Sequence, residues 1–144
     1  MKLRYVLDTD VVVAAMRSSQ GASRQLLLEA LSERFELLLS VALILEYEAV
    51  LTRPAQLTAC GISKAEAGRV LDDLASIAKP VKIRFRWRPH LHDPGDDMVL
   101  ETALNGDADA IVTFNLRHFS LANKSFDCAV LLPRLALQQI RSST

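Results

Sequence analysis

The sequence predicts an α/β domain in which helices cover both faces of a central parallel sheet. Short β-rich runs alternate with longer segments of helical periodicity, the pattern of βαβ units. The chain has 144 residues, enough for one domain (1–144) with a proper core. Half of those residues are apolar and about a quarter charged, an ordinary globular composition.

Each element follows from local signals. "LRYVL" opens the chain as a strand and leads into "DTD", after which a helix is expected with Thr9 or Asp10 as its cap. "SRQLLLEALSE" is helical and "FELLLS" is the next strand. "LILEYEAVLTR" carries Leu43, Ile44, Tyr47, Val50 and Leu51 at helical spacing, and Pro54 is expected to stop it. "SKAEAGRVLDDLASIAK" begins with Ser63 and Glu66 in capping-box register, with Pro80 just beyond its end. A strand "VKIRF", a helix "DDMVLETALNG", a strand "DAIVT", a strand "CAVLL" and a helix from Pro133 complete the chain. No repeat, low-complexity tract or long linker divides it.

Charge and cysteine usage narrow the function classes. Lys+Arg and Asp+Glu both number 17, so a nucleic-acid partner has to be held by a local basic patch rather than by overall charge. Cys60 and Cys128 lie far apart in no CxxC pattern, which points away from thiolate metal sites and towards a reducing compartment. "DTD" by residue 10 leaves no room for a signal peptide, and no apolar run nears the ~18 residues of a membrane span. The expected location is the cytoplasm, without a membrane partner.

In parallel sheets, ligands bind at the carboxyl ends of the strands, near the point where strand order reverses. Asp8 closes the first strand at that edge, and Asp10 is either a helix cap or a second acid of a site. Asp96 and Asp97 open a helix that precedes "DAIVT", so they approach the same edge, although acids at a helix start also complement its dipole. Glu46 and Glu48 flank an apolar stripe, and periodicity does not choose between them. Thr113 and Asn115 follow the "DAIVT" strand, whereas Asp107 and Asp109 stand at its far end as turn residues. Converging carboxylates repel, and a hard divalent cation such as Mg²⁺ relieves the repulsion while activating water for phosphoryl displacement. His90, His92 and His118 do not have the spacing of a zinc site. "VKIRFRWRPH" alternates, placing Lys82, Arg84, Arg86 and Arg88 opposite Ile83, Phe85 and Trp87. That basic ridge suits phosphate binding, edge protection or an acidic partner.

Four blocks, "YVLDTDVVVAAM", "LILEYEAVLTRP", "DPGDDMVLETALNGDADAIVTFNLRHF" and "CAVLLPRLAL", resemble in order and spacing the PIN-domain family. The resemblance implies a three-layer α/β/α sandwich around a parallel sheet, with an acidic pocket for Mg²⁺ or Mn²⁺. It implies a metal-dependent endoribonuclease acting on RNA, and many small bacterial members are toxins of toxin–antitoxin pairs. A cognate antitoxin and a homodimer are expected on the same ground. Matched motif to motif, Asp8 takes the first acid, a metal ligand, and Glu46 takes the helix glutamate. Asp96 takes the third acid, also a metal ligand, with Asp97 its companion. Asp10 stands where the family commonly has asparagine, and Asn115 stands where many members carry a fourth acid. That last departure keeps open a catalytically weak or inactive module binding RNA or protein. A further rival takes "DTD" as the nucleophile motif of a haloacid-dehalogenase-like phosphatase, but Val11-Val12-Val13 follows it, and Lys79 and Lys82 are poorly placed for that chemistry.

Overall fold

The computed structural model describes residues 2–84, 94–120 and 126–143. Strand β1 (Arg4–Leu7) is followed without a loop by α1 (Thr9–Arg17), because Asp8 leaves the strand in an extended conformation and caps the helix. Its carboxylate accepts from the Thr9 amide at 2.8 Å, so the cap is Asp8 rather than Thr9 or Asp10. Helix α2 (Ala22–Leu31) leads to β2 (Glu36–Leu39), and Ser40 then caps α3 (Val41–Leu51) through the Leu43 amide.

Pro54 does not simply stop α3, which ends at Leu51. It occupies the first turn of a separate helix, α4 (Pro54–Cys60), where the missing N–H costs nothing. Gly61 closes α4 with φ of +68°, a left-handed conformation suited to glycine. The capping box at Ser63 and Glu66 forms as expected and starts α5 (Lys64–Ile77). Strand β3 (Lys79–Pro80), α6 (Pro94–Asn105), β4 (Ala110–Val112), β5 (Ala129–Leu131) and α7 (Pro133–Ser142) follow, with a 3₁₀ turn at Leu116–Phe119.

The five strands form one parallel sheet in the order β3-β2-β1-β4-β5. Successive side chains of a strand point to opposite faces. Tyr5, Val6 and Leu7 are all fully buried, so both faces of β1 are covered. This is the expected α/β/α sandwich. Leu26, Leu43, Leu74, Leu100 and Ile140 bring α2, α3, α5, α6 and α7 into the same core. Among the described residues, no helix is long and apolar enough to cross a membrane.

The predicted strand "VKIRF" is displaced. The ladder takes Lys79 and Pro80, and the Val81 amide still reaches the Leu39 carbonyl at 2.8 Å. There β2 ends in the cap of α3 and offers no further partner, so the Arg84 amide turns to the Asn105 side chain. The alternation itself persists: Val81 is buried, Lys82 exposed, Ile83 half-buried and Arg84 exposed. Arg86, Arg88, Phe85, Trp87, His90 and His92 lie outside the described residues.

Strand order reverses at β1. The chain moves outward from β1 to β2 and β3, then returns to pair β4 on the other side of β1. The crevice at the carboxyl ends of β1 and β4 is therefore where this topology locates a ligand.

Candidate active site

The β1–β4 register pairs Leu7 with Val112, and the Asp8 amide continues it by donating to the Val112 carbonyl at 2.8 Å. That register brings Asp8 beside Thr113. The Thr113 hydroxyl donates to Asp8 Oδ2 at 2.7 Å while the other carboxylate oxygen holds the helix cap. Asp8, Thr113 and Asp96 are all buried.

Asp10, in the first turn of α1, faces the loop after β4. Its Oδ2 accepts from the Phe114 amide and from the Asn115 side-chain amide, each at 3.1 Å. The Asn115 backbone amide meanwhile donates to the Thr113 hydroxyl at 2.9 Å. Asn115 thus ties the end of β4 to Asp10 as a donor, where a carboxylate would repel. Asp10 Oδ1 is buried with no donor among the described residues, as is Asp97 Oδ1.

Burial raises the pKa of Asp8, against the opposing hydrogen bonds from Thr113 and Thr9. Burial and the neighbouring Asp8 carboxylate push Asp10 up to about 7. These two acids resist being charged together, and Tyr47 feels both. The Tyr47 hydroxyl, fully buried on α3, donates to the Leu7 carbonyl, and its own ionisation is suppressed by burial and by the two acids.

Asp96 enters through the 3₁₀ turn. His118 Nδ1 lies 2.9 Å from Asp96 Oδ2, and the same histidine lowers the pKa of Asp8 electrostatically. Asp8, Asp10, Thr113, Asn115, His118 and Asp96 therefore form one polar constellation. Glu46 is half-buried on α3 next to Tyr47, and Glu48 is exposed. Glu46 makes no hydrogen bond or ion pair among the described residues. At the opposite end of β4, Asp109 accepts from the Arg4 amide at 2.8 Å and Asp107 adopts a positive φ, the turn roles expected of them.

His118 was visible in sequence only as a histidine without zinc spacing. Its pairing with Asp96 depends on how the turn at Leu116–Phe119 folds back over α6. Glu101, buried on α6, carried no sequence signal beyond helix periodicity.

The donor set is hard oxygen, with the Asp10 Oδ1 at the crevice buried and without a donor among the described residues beside the assigned ligands Asp8 and Asp96, and it suits Mg²⁺ or Mn²⁺ better than a thiophilic ion. Among the described residues, no three His, Cys, Asp or Glu side chains form a ready-made metal cage. Mg²⁺ commonly needs only one or two protein carboxylates and keeps its waters. The residues fit that mode of binding.

Asp8, Asp10 and Thr113 thus lie at the strand-order reversal of a parallel α/β/α sandwich, the edge where such folds take ligands. Residues 4–117 match the PIN domain family, and the chain belongs to it. PIN domains are typically nucleases and generally use divalent metals. No curated protein matches the chain.

Proposed function

We propose that this PIN domain is a Mg²⁺- or Mn²⁺-dependent endoribonuclease. The observation that carries the reading is the pair of neighbouring buried acids at the end of β1, Asp8 held by Thr113 and Asp10 by Asn115, with Asp96 linked to them through His118. Asp8 and Asp96 hold the cation. When bound, it supplies Lewis-acid stabilisation of the phosphoryl charge and makes water a competent nucleophile at neutral pH. Thr113 fixes the Asp8 carboxylate through its hydroxyl, and Asn115 holds Asp10 against the end of β4. Glu46 orients the attacking water. Lys82 and Arg84, exposed on one side of their segment, attract the phosphate backbone.

Family membership replaces the phosphatase reading of "DTD". The second reading is a module that binds RNA or protein without cutting it. It is favoured by Asn115, which supplies a donor to Asp10 where a fourth acid would add charge. The four sequence blocks extend the proposal to a cytoplasmic, homodimeric toxin neutralised by an antitoxin. A small DNA-binding protein in the adjacent reading frame is the observation to seek.

The test is cleavage of RNA by purified protein in Mg²⁺ or Mn²⁺, with EDTA and Asp8→Asn controls. Cleavage that persists unchanged in both controls overturns the metal mechanism. Calorimetric titration with Mn²⁺ separates the second reading, since a protein that binds no millimolar Mn²⁺ is a module rather than a metal nuclease.

A further inference from the structure

Next to the acids lies a cavity of about 420 Å³ that no step above uses. Ala14 of α1, Gly21 and Ser23 at the start of α2, Phe114, and Pro133 and Arg134 at the start of α7 line it. Its size falls within the range of small-ligand sites. Phe114 connects it to the crevice: its amide donates to Asp10 Oδ2 at 3.1 Å, while its side chain is left half exposed. A phenyl group on a loop, held by its backbone at an acid cluster and uncovered by the core, is free to act as a stacking platform.

The polar features of the cavity agree with one kind of ligand. Helices α2 and α7 both begin here, and neither has a side-chain cap, since Gly21 and Leu132 occupy the capping positions. Both termini turn positive dipole ends towards an anion, α2 with the amides of its first turn and α7, which opens on Pro133 without an N–H, with the Arg134 amide alone. Arg134 adds an exposed cation in the same first turn of α7. Ser23, almost fully buried in the wall, has a hydroxyl with no hydrogen-bond partner among the described residues. An apolar hollow with one aromatic, bordered by anion-attracting groups, matches a nucleotide: a base in the hollow and its phosphate at the rim.

We propose that this cavity is a nucleobase subsite, receiving a base of single-stranded RNA next to the phosphate held at the acids, with Phe114 stacking on it and Arg134 with the α2 and α7 termini facing its phosphate. The proposal rests on the ribonuclease reading for the identity of the strand, but its binding test does not need cleavage. Stacking tolerates any base, so the subsite favours unpaired over duplex RNA without dictating sequence.

The experiment measures fluorescence anisotropy of a labelled eight-nucleotide single-stranded RNA in EDTA at fixed salt, against the same backbone made abasic. Phe114→Ala and the cavity-filling Ala14→Leu are each expected to weaken binding about tenfold, and Phe114→Tyr to retain it. The abasic strand is expected to bind wild type weakly and to lose nothing further in Phe114→Ala. Circular dichroism melting establishes that the variants are folded, and Phe114→Tyr keeps the test decisive if Ala14→Leu is not. Equal binding of intact and abasic strands by wild type, or full affinity in Phe114→Ala, overturns the subsite. So does a Phe114→Ala effect on self-association alone, which assigns the face to a second copy of the chain. Base-dependent binding without cleavage in Mn²⁺ keeps the subsite and overturns the nuclease reading, whereas cleavage with base-independent binding does the reverse.

Discussion

Replacing Asp10 by asparagine is expected to stabilise the metal-free protein at alkaline pH, although it removes a charged residue from the crevice. Asn keeps an oxygen to accept from Phe114 and Asn115, and gains an amide that can donate towards Asp8. The magnitude follows from the titration of Asp10, which burial and Asp8 move from 3.8 to about 7. A carboxyl with a raised pKa stabilises the folded state fully below its unfolded value and loses that contribution as pH rises through the folded one. The wild-type penalty therefore grows from about pH 4 and is complete above about 7. The whole interval corresponds to roughly 4 kcal/mol. Asp10 is only partly buried, however, and solvent screening reduces this to about 1–2 kcal/mol. For a chain of this length that is a rise in Tm of about 3–8 °C at pH 8.5. Thermal unfolding of both proteins in EDTA from pH 4 to 8.5 measures it. The gap should narrow steadily as pH falls and close near 4, and saturating Mn²⁺ should narrow it at pH 8.5 by neutralising the wild-type acids. A variant less stable than wild type at pH 8.5, or a gap that does not change with pH, refutes the charge frustration assigned to this pair.

Asn115→Asp should add the fourth acid, tighten Mn²⁺ binding in calorimetry and lower Tm in EDTA, because it replaces the donor to Asp10 by a further carboxylate. Unchanged Mn²⁺ affinity would place that position outside the ligand set. Tyr47→Phe should cost about 1–2 kcal/mol in urea unfolding, as the Leu7 carbonyl loses its buried donor while packing is kept. Gly106→Ala should cost about 1–3 kcal/mol by overpacking, since a Cβ there would lie 2.9 Å from both the Thr102 carbonyl oxygen and Val81 Cγ2. A denaturation midpoint equal to wild type would show that the α6 terminus yields to accommodate it.

Helix and strand order was legible because its causes are local. The capping box at Ser63 and Glu66, the β-branched and aliphatic runs of β1 and β4, and Pro133 at a first helical turn each act within a few residues of chain. Asp8 at the end of β1 could be assigned to the carboxyl edge for the same reason. Neighbouring signals also misled where two local rules competed. Pro54 is equally a stop and a start, and "VKIRF" keeps its strand-like alternation past the point where β2 has turned into a cap.

The site belongs to the other category. Sequence could list Asp8, Asp10, Asp96 and Asn115 as acids and amide near one edge, but not their partners. Asn115 reaches Asp10, and Thr113 reaches Asp8, because the parallel register sets Leu7 against Val112, a contact made across about a hundred residues. His118 meets Asp96 because a 3₁₀ turn folds back on α6. Periodicity and capping are read from backbone hydrogen bonds that close within a turn or a strand. Charge pairing, burial and the resulting pKa values depend on distances through space, which no local pattern carries. The sequence alone therefore determined the layers, the edge and the residue types of this PIN domain. The tertiary structure decided which acids share a charge they cannot both hold, and which donors sit beside them.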